Sequence, residues 1–203
     1  MIKATLFDLR EVVLTNDWHY DCPEKFKAYS NHFGITYDQM EKGWKIAWPL
    51  YEIGKITEKK FWELFLRNAG ASKIDVDKAK KFWRKYIGSK PGIFNLLKKL
   101  KGHYKLGILF STGKEWLEYK IKRYKLNSYF SLYITTSNTG FRKTNKKIYQ
   151  IAIKKLHVLP EEILFIDDTN KVLKVAQKLK IKTMLFKNSK QLLKELSNLK
   201  LLS

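Results

Sequence analysis

Three carboxylates at the ends of two apolar runs are where this chain can do chemistry. The run Ala4, Thr5, Leu6, Phe7 stops abruptly at Asp8, and the run Ile163 to Ile166 stops at Asp167 and Asp168. Short apolar runs of this kind read as buried parallel strands, and open α/β sheets bind their ligands at the C-terminal ends of such strands. Like charges a few ångströms apart raise one another's pKa, so a cluster of three carboxylates requires a cation. An all-oxygen ligand set favours Mg²⁺, which keeps its remaining positions for water and a phosphate oxygen. The pattern points to a phosphate site. It also admits a plainer reading, in which Asp167 and Asp168 only cap the helix that follows or bind water.

The elements that must position these acids fall into two kinds. From about Pro23 to Ile87 the pattern is helical throughout. Pro23 suits the first position of a helix carrying Phe26, Tyr29 and Phe33, which Gly34 ends. Met40, Trp44 and Trp48 follow at helical spacing, and Pro49 is expected to bend or end that helix. Thr57 caps a third helix with Phe61, Trp62, Leu64 and Phe65 on its apolar face, closed by Gly70. A fourth, about Val76 to Tyr86, is strongly basic on its outer face. Aromatic stripes at this spacing read as a packed core rather than a ligand platform.

Pro91 and Gly92 mark a return to alternating grammar: a helix through Ile93, Leu96, Leu97 and Leu100, a strand over 106–110, a helix over about 115–124 and a strand over 129–135. A helix through Ile148, Ile151, Ala152 and Leu156 precedes the strand over 163–166. A helix through Val172, Val175, Ala176 and Leu179, a strand over 183–186 and a last amphipathic helix complete the series. Repeated strand–helix units require a parallel sheet covered by helices on both faces. The expected division is an α/β core of residues 1–15 and 89–203, with residues 16–88 a small all-helical body inserted after the first strand.

Composition bounds the function. A chain of 203 residues with 44% apolar content can bury a core. No apolar run approaches the roughly 20 residues that span a bilayer, and the chain opens directly on a strand pattern, so a cytoplasmic protein without a membrane partner is expected. The single Cys22 cannot form an internal disulfide, and no Cys/His cluster has zinc spacing. The net charge of +22 attracts polyanions over long range. Its lysines are spread through every helix without a recognisable reading module, so nucleic-acid binding is expected to be weak and indifferent to sequence. Either a monomer or a homodimer is compatible with these features.

Together the motifs resemble the haloacid-dehalogenase-like (HAD) hydrolase superfamily, in the branch whose helical cap follows the first strand. ATLFDLREVV matches the family's hhhhDxDGT/V motif with Asp8 in the nucleophile position. GFRKTNKKIYQIA matches the lysine motif with Lys143, LFIDDTN the acidic pair with Asp167 and Asp168, and GKITEKKFW the cap segment. The resemblance implies a Rossmann-like fold, a Mg²⁺ cofactor held by Asp8, Asp167, Asp168 and the backbone carbonyl of residue 10, and a small phosphorylated substrate. It further implies that Asp8 becomes an aspartyl-phosphate while Lys143 stabilises charge on the transferring oxygens.

Two positions depart from the family pattern. The second acid of the first motif, the general acid, is Arg10, which does not titrate near neutral pH. The motif's glycine is Glu11, an acid whose side chain is expected on the wrong side of the strand end. The strand-end Ser or Thr of the second motif falls at Phe110, so Ser111 or Thr112 is the expected substitute for substrate binding. An alternative reading is a catalytically degenerate relative that binds a phosphorylated ligand or a partner, with Arg10 as an anion clamp. A third, chemistry at carbon as in metal-free dehalogenases, is disfavoured by the retained Asp167 and Asp168. Nothing in Trp18, His19 or the aromatic residues of the insert singles out a ligand.

Overall fold

Apolar runs become strands here because helices cover both faces of their sheet: residues 4–7, 106–110 and 163–167 are buried throughout. The computed structural model describes residues 1–15 and 23–202. Trp18, His19 and Cys22 lie outside the described residues, and so does the side chain of Phe26. The chain begins with β1 (Ala4–Phe7) and β2 (Leu14–Thr15), then forms α1 (Pro23–Phe33), α2 (Tyr37–Tyr51), α3 (Glu58–Asn68) and α4 (Val76–Arg84). It continues through β3 (Gly88–Ser89), α5 (Ile93–Leu100), β4 (Lys105–Phe110), α6 (Lys114–Tyr124), β5 (Leu132–Thr135) and α7 (Thr136–Thr139). Last come α8 (Lys146–Leu156), β6 (Ile163–Asp167), α9 (Asn170–Gln177), β7 (Lys182–Leu185) and α10 (Ser189–Asn198).

Five strands form one parallel sheet in the order β5-β4-β1-β6-β7, a Rossmann-like α/β arrangement. The chain winds outward from β1 first to one side and then to the other, so the order reverses between β1 and β6. A crevice opens at the C-terminal ends of the strands at such a reversal. The Asp8 N–H donates to the Ile166 carbonyl at 2.8 Å, which fixes the two strand ends side by side.

The structure differs from the sequence reading at four elements. The strand expected over 129–135 begins only at Leu132, because Phe130 turns inward and packs edge-on against Phe7 with ring centroids 5.9 Å apart. The last strand is displaced by one residue, to 182–185. The fourth helix stops at Arg84, two residues early. α2 runs through Pro49 to Tyr51; proline withholds one N–H, whose acceptor would be the carbonyl of Lys45, an exposed residue where water can replace it.

A further ribbon, too short to read from sequence, joins β2 to β3 in antiparallel register. It sets the passage into the four helices beside the passage out. The Lys90 N–H donates to the Val13 carbonyl at 3.0 Å, and the Lys90 ammonium pairs with Glu11 at 2.5 Å.

Helices α1 to α4 share one apolar cluster that includes Tyr29, Trp44, Trp62 and Trp83, and Trp116 of α6 enters the same cluster. Glu58 anchors this junction. It is buried, and its carboxylate accepts from the Trp116 indole at 2.8 Å and from Arg84 at 2.8 and 3.0 Å, with Lys80 at 3.0 Å. A buried carboxylate is tolerable only with such a full set of donors. Next to it the Trp116 N–H donates to the Tyr51 hydroxyl at 3.2 Å, and the Tyr51 ring lies flat against Gly113.

A β-carbon at Gly113 would overlap the Tyr51 ring, so Gly113→Ala is expected to lower stability by about 1–3 kcal/mol in urea unfolding. In a double-mutant cycle, Tyr51→Leu should cost less in the Gly113→Ala background than in the wild type. Additive costs would show that the two do not press on one another.

Candidate active site

Each acid of the cluster owes its place to a strand end. Asp8 follows β1 and is 2% exposed, Asp167 closes β6 and is fully buried, and Asp168 begins the turn into α9. Carboxylate oxygens of the three lie within 4.8 Å of one another. Lys143 reaches the same point from the loop before α8. Its ammonium donates to Asp8 Oδ1 at 2.7 Å and to Asp167 Oδ2 at 2.6 Å. The loop is held from behind by the Tyr149 hydroxyl, which lies 2.8 Å from the Lys143 carbonyl and 3.1 Å from that of Val172.

The electrostatics follow from burial. Desolvation pushes Asp8 up from 3.8 to about 7; Lys143 opposes the rise, and Asp167 and Asp168 add to it. Burial works against the charge on Lys143, but Asp167 and Asp8 outweigh it and hold the ammonium above its ordinary range. Asp168 is also raised by burial, against the pull of Arg10. Three buried or half-buried carboxylates thus gather at one ammonium, which bonds two of them. An oxygen-only set of this size and charge fits a hard divalent cation, with Asp8, Asp167 and Asp168 as its ligands.

Asp167 also serves the turn that follows: its Oδ1 accepts the Thr169 N–H at 2.8 Å. The N-cap residue of α9 is Thr169, however, and neither Asp167 nor Asp168 occupies it. Helix capping therefore accounts for one oxygen of one acid.

A cavity of about 140 Å³ opens over the cluster, lined in the core by Asp8, Arg10, Phe110, Ser111, Lys143 and Asp168. Arg10 and Ser111 thus meet the catalytic candidates. The Thr112 side chain is buried and donates to the Gly113 carbonyl at 3.3 Å, while its N–H donates to Thr136 Oγ1 at 3.0 Å; it is not among the lining residues. Glu11 points to Lys90, away from the cavity. Its backbone is left-handed, with φ of 57°, a conformation that favours glycine and is uncommon for other side chains.

The sequence reading missed two residues that roof this cavity, Trp48 and Glu52. Glu52 sits at the C-terminal cap of α2 and pairs with Arg142 Nε at 2.6 Å, beside Lys143. A carboxylate at a helix C-terminus opposes the helix dipole. Because Pro49 is expected to bend or end this helix, that placement is not legible in the sequence, and Glu52 gives no signal there.

Residues 24–186 match the family model of the haloacid dehalogenase-like hydrolases. The chain belongs to this family. Among curated relatives, the chloroplastic flavin mononucleotide hydrolase 1 of Arabidopsis thaliana is 25% identical over 199 residues, 98% of this chain and 78% of that protein. The pyrimidine 5'-nucleotidase YjjG of Escherichia coli is 31% identical over 65 residues, 32% of this chain and 29% of that one. A HAD family enzyme of Bacteroides thetaiotaomicron, solved in complex with magnesium and inorganic phosphate, superposes with a TM-score of 0.78 at 24% identity, covering 93% of this chain and 96% of that one. A HAD-like hydrolase structure from Porphyromonas gingivalis gives 0.79 at 22% identity, with 98% of each chain covered. Among the described residues no helix of this HAD protein is long and apolar enough to cross a membrane.

The raised Asp8 pKa has a consequence for stability. The unfolded carboxyl titrates near 3.8 and the folded one near 7, so the folded state binds the proton more tightly. The associated stability is complete below pH 3.8 and is lost as pH rises through 7. In metal-free buffer, Asp8→Asn is therefore expected to raise Tm at pH 8 and to raise it less at pH 5. An equal shift at both pH values would mean that Asp8 is not the group responsible.

Proposed function

We propose that this HAD hydrolase is a Mg²⁺-dependent phosphatase of small phosphate monoesters that works through an aspartyl-phosphate at Asp8. The observation that carries the reading is the Lys143 ammonium bridging Asp8 and Asp167 beneath a cavity. The relatives named above as a flavin mononucleotide hydrolase and a nucleotidase support phosphate-ester substrates. The Bacteroides neighbour, with its magnesium and phosphate, supports the cofactor. We place the protein in the cytoplasm, with residues 1–15 and 89–203 as the core and 16–88 as the cap.

The chain's own groups divide the work. Asp8 Oδ1 is held by Lys143, which leaves Oδ2 to attack phosphorus in line. The phosphorus–oxygen bond to the leaving group breaks as the new one forms, and the leaving oxygen takes its proton from solvent water. Water then attacks the aspartyl-phosphate, releasing phosphate and restoring Asp8. Lys143 stays charged throughout and stabilises negative charge on the transferring oxygens. Bound at Asp8, Asp167 and Asp168, Mg²⁺ would supply further charge neutralisation, shielding the carboxylate nucleophile from its anionic substrate. Arg10 and Ser111 bind phosphoryl oxygens, and Trp48 with Glu52 closes the site against water. A cavity of about 140 Å³ favours a small leaving group.

What is missing is the group that delivers the proton, because Arg10 occupies its place. Arg10→Asp is expected to raise kcat by at least about tenfold, less than the full worth of a general acid. The gain should be larger with an alkyl than with an aryl phosphate, since an aryl leaving group needs little protonation. A rise in KM with kcat flat would mean that Arg10 acts only by holding substrate and that proton transfer does not limit turnover. If the wild type and the variant are both inert while Mg²⁺ still binds, the alternative of a degenerate, ligand-binding relative takes precedence.

A further inference from the structure

The positive charge of this chain is mostly dispersed, but one surface gathers it around aromatic rings. α1, α4 and α6 border an open groove of about 850 Å³ that shares no lining residue with the catalytic cavity. Its floor is aromatic. The exposed His32 ring stacks on Phe82 with centroids 4.2 Å apart and planes 11° from parallel, and Phe33 stands edge-on to both. Farther along, the Arg84 guanidinium lies 4.2 Å above the centre of the Tyr119 ring.

Its walls are cationic. Lys78, Lys81 and Lys85 project from one side of α4, at helical spacings of three and four, and Arg123 faces them from α6. All four are exposed. Asp77 is the one acid among the described lining residues. Lys80 and Arg84 line the groove too, but both are tied to Glu58, which offsets one of their two charges. Four cations without that compensation therefore surround two stacking surfaces.

An occupant must bring repeated negative charge and flat rings together. An acidic peptide meets the first need only, and a membrane surface does not enter a concave groove. A single strand of nucleic acid meets both, with phosphates along the lysines and bases on the His32 ring and on the open face of Arg84. We propose that this groove binds single-stranded nucleic acid without sequence preference, independently of the phosphatase site.

The test is fluorescence anisotropy with a labelled oligothymidylate of about 12 nucleotides, within the size one such groove covers. Lys81→Glu with Lys85→Glu is expected to weaken binding at least about tenfold at low salt. Lys174→Glu on α9 with Lys178→Glu at its C-terminal cap removes the same charge elsewhere and should weaken it about twofold at most. His32→Ala, an exposed position, should cost at least about fivefold with Tm unchanged, and an abasic strand of equal length should bind as poorly. Equal losses from the two lysine pairs would overturn the proposal, because dispersed charge would then suffice. So would equal affinity for the abasic strand, polyglutamate or a duplex.

Discussion

One ammonium held between two buried carboxylates constrains most of this structure. Asp8 and Asp167 can lie this close in a dry place only because Lys143 donates to both. Losing the ammonium from such a buried set, which would leave the carboxylates uncompensated, typically costs about 3–5 kcal/mol, so the geometry that supports it is not optional. β1 and β6 must be neighbours, their ends must face one crevice, and the loop before α8 must come back over that crevice at a fixed height. The sheet order, the backbone hydrogen bond from Asp8 to Ile166 and the Tyr149 hydroxyl behind Lys143 each satisfy one of these demands.

The same cluster shows what a sequence can reveal. β1, β4 and β6 were legible because strands buried on both faces leave continuous apolar runs, and an acid that ends such a run is conspicuous. Lys143 was legible through its GFRK context, although nothing in its own chemistry sets it apart among so many lysines. Contacts that depend on how two bodies dock were not legible. Helical periodicity announced Trp48 as an apolar position, but not that its ring would roof a cavity, and no local rule could pair Glu52 with Arg142 across 90 residues. The two-residue strands β2 and β3 are too short for any pattern. Phe130 carried a strand-like composition while serving as a plug beneath the sheet.

The stretch after Asp8 concentrates the departures from the family. At Glu11 the backbone keeps the left-handed turn of a motif glycine although the residue has a side chain, and that side chain reaches Lys90 on the far passage of the ribbon. Arg10 sits one residue earlier, facing the cavity, where its charge acts on Asp168. The turn after β1 thus carries a cation that faces the cavity and, next to it, an acid tethered to the far side of the ribbon. Both departures fall within two adjacent residues, and the strand that carries Asp8 is undisturbed.

The Trp116 side chain, carried by a helix of the sheet-bearing part, lies within the aromatic cluster of the inserted helices. With Trp44, Trp48, Trp62 and Trp83 it accounts for five of the six tryptophans in the chain; their rings are near neighbours, and Trp44 and Trp48 are stacked 4.8 Å apart. The sheet strands themselves contain none. Ultraviolet light absorbed by these five indoles is therefore absorbed at the seam between the two halves of the molecule. Most of the protein's natural indole emission thus reports on the packing of that seam, without a label.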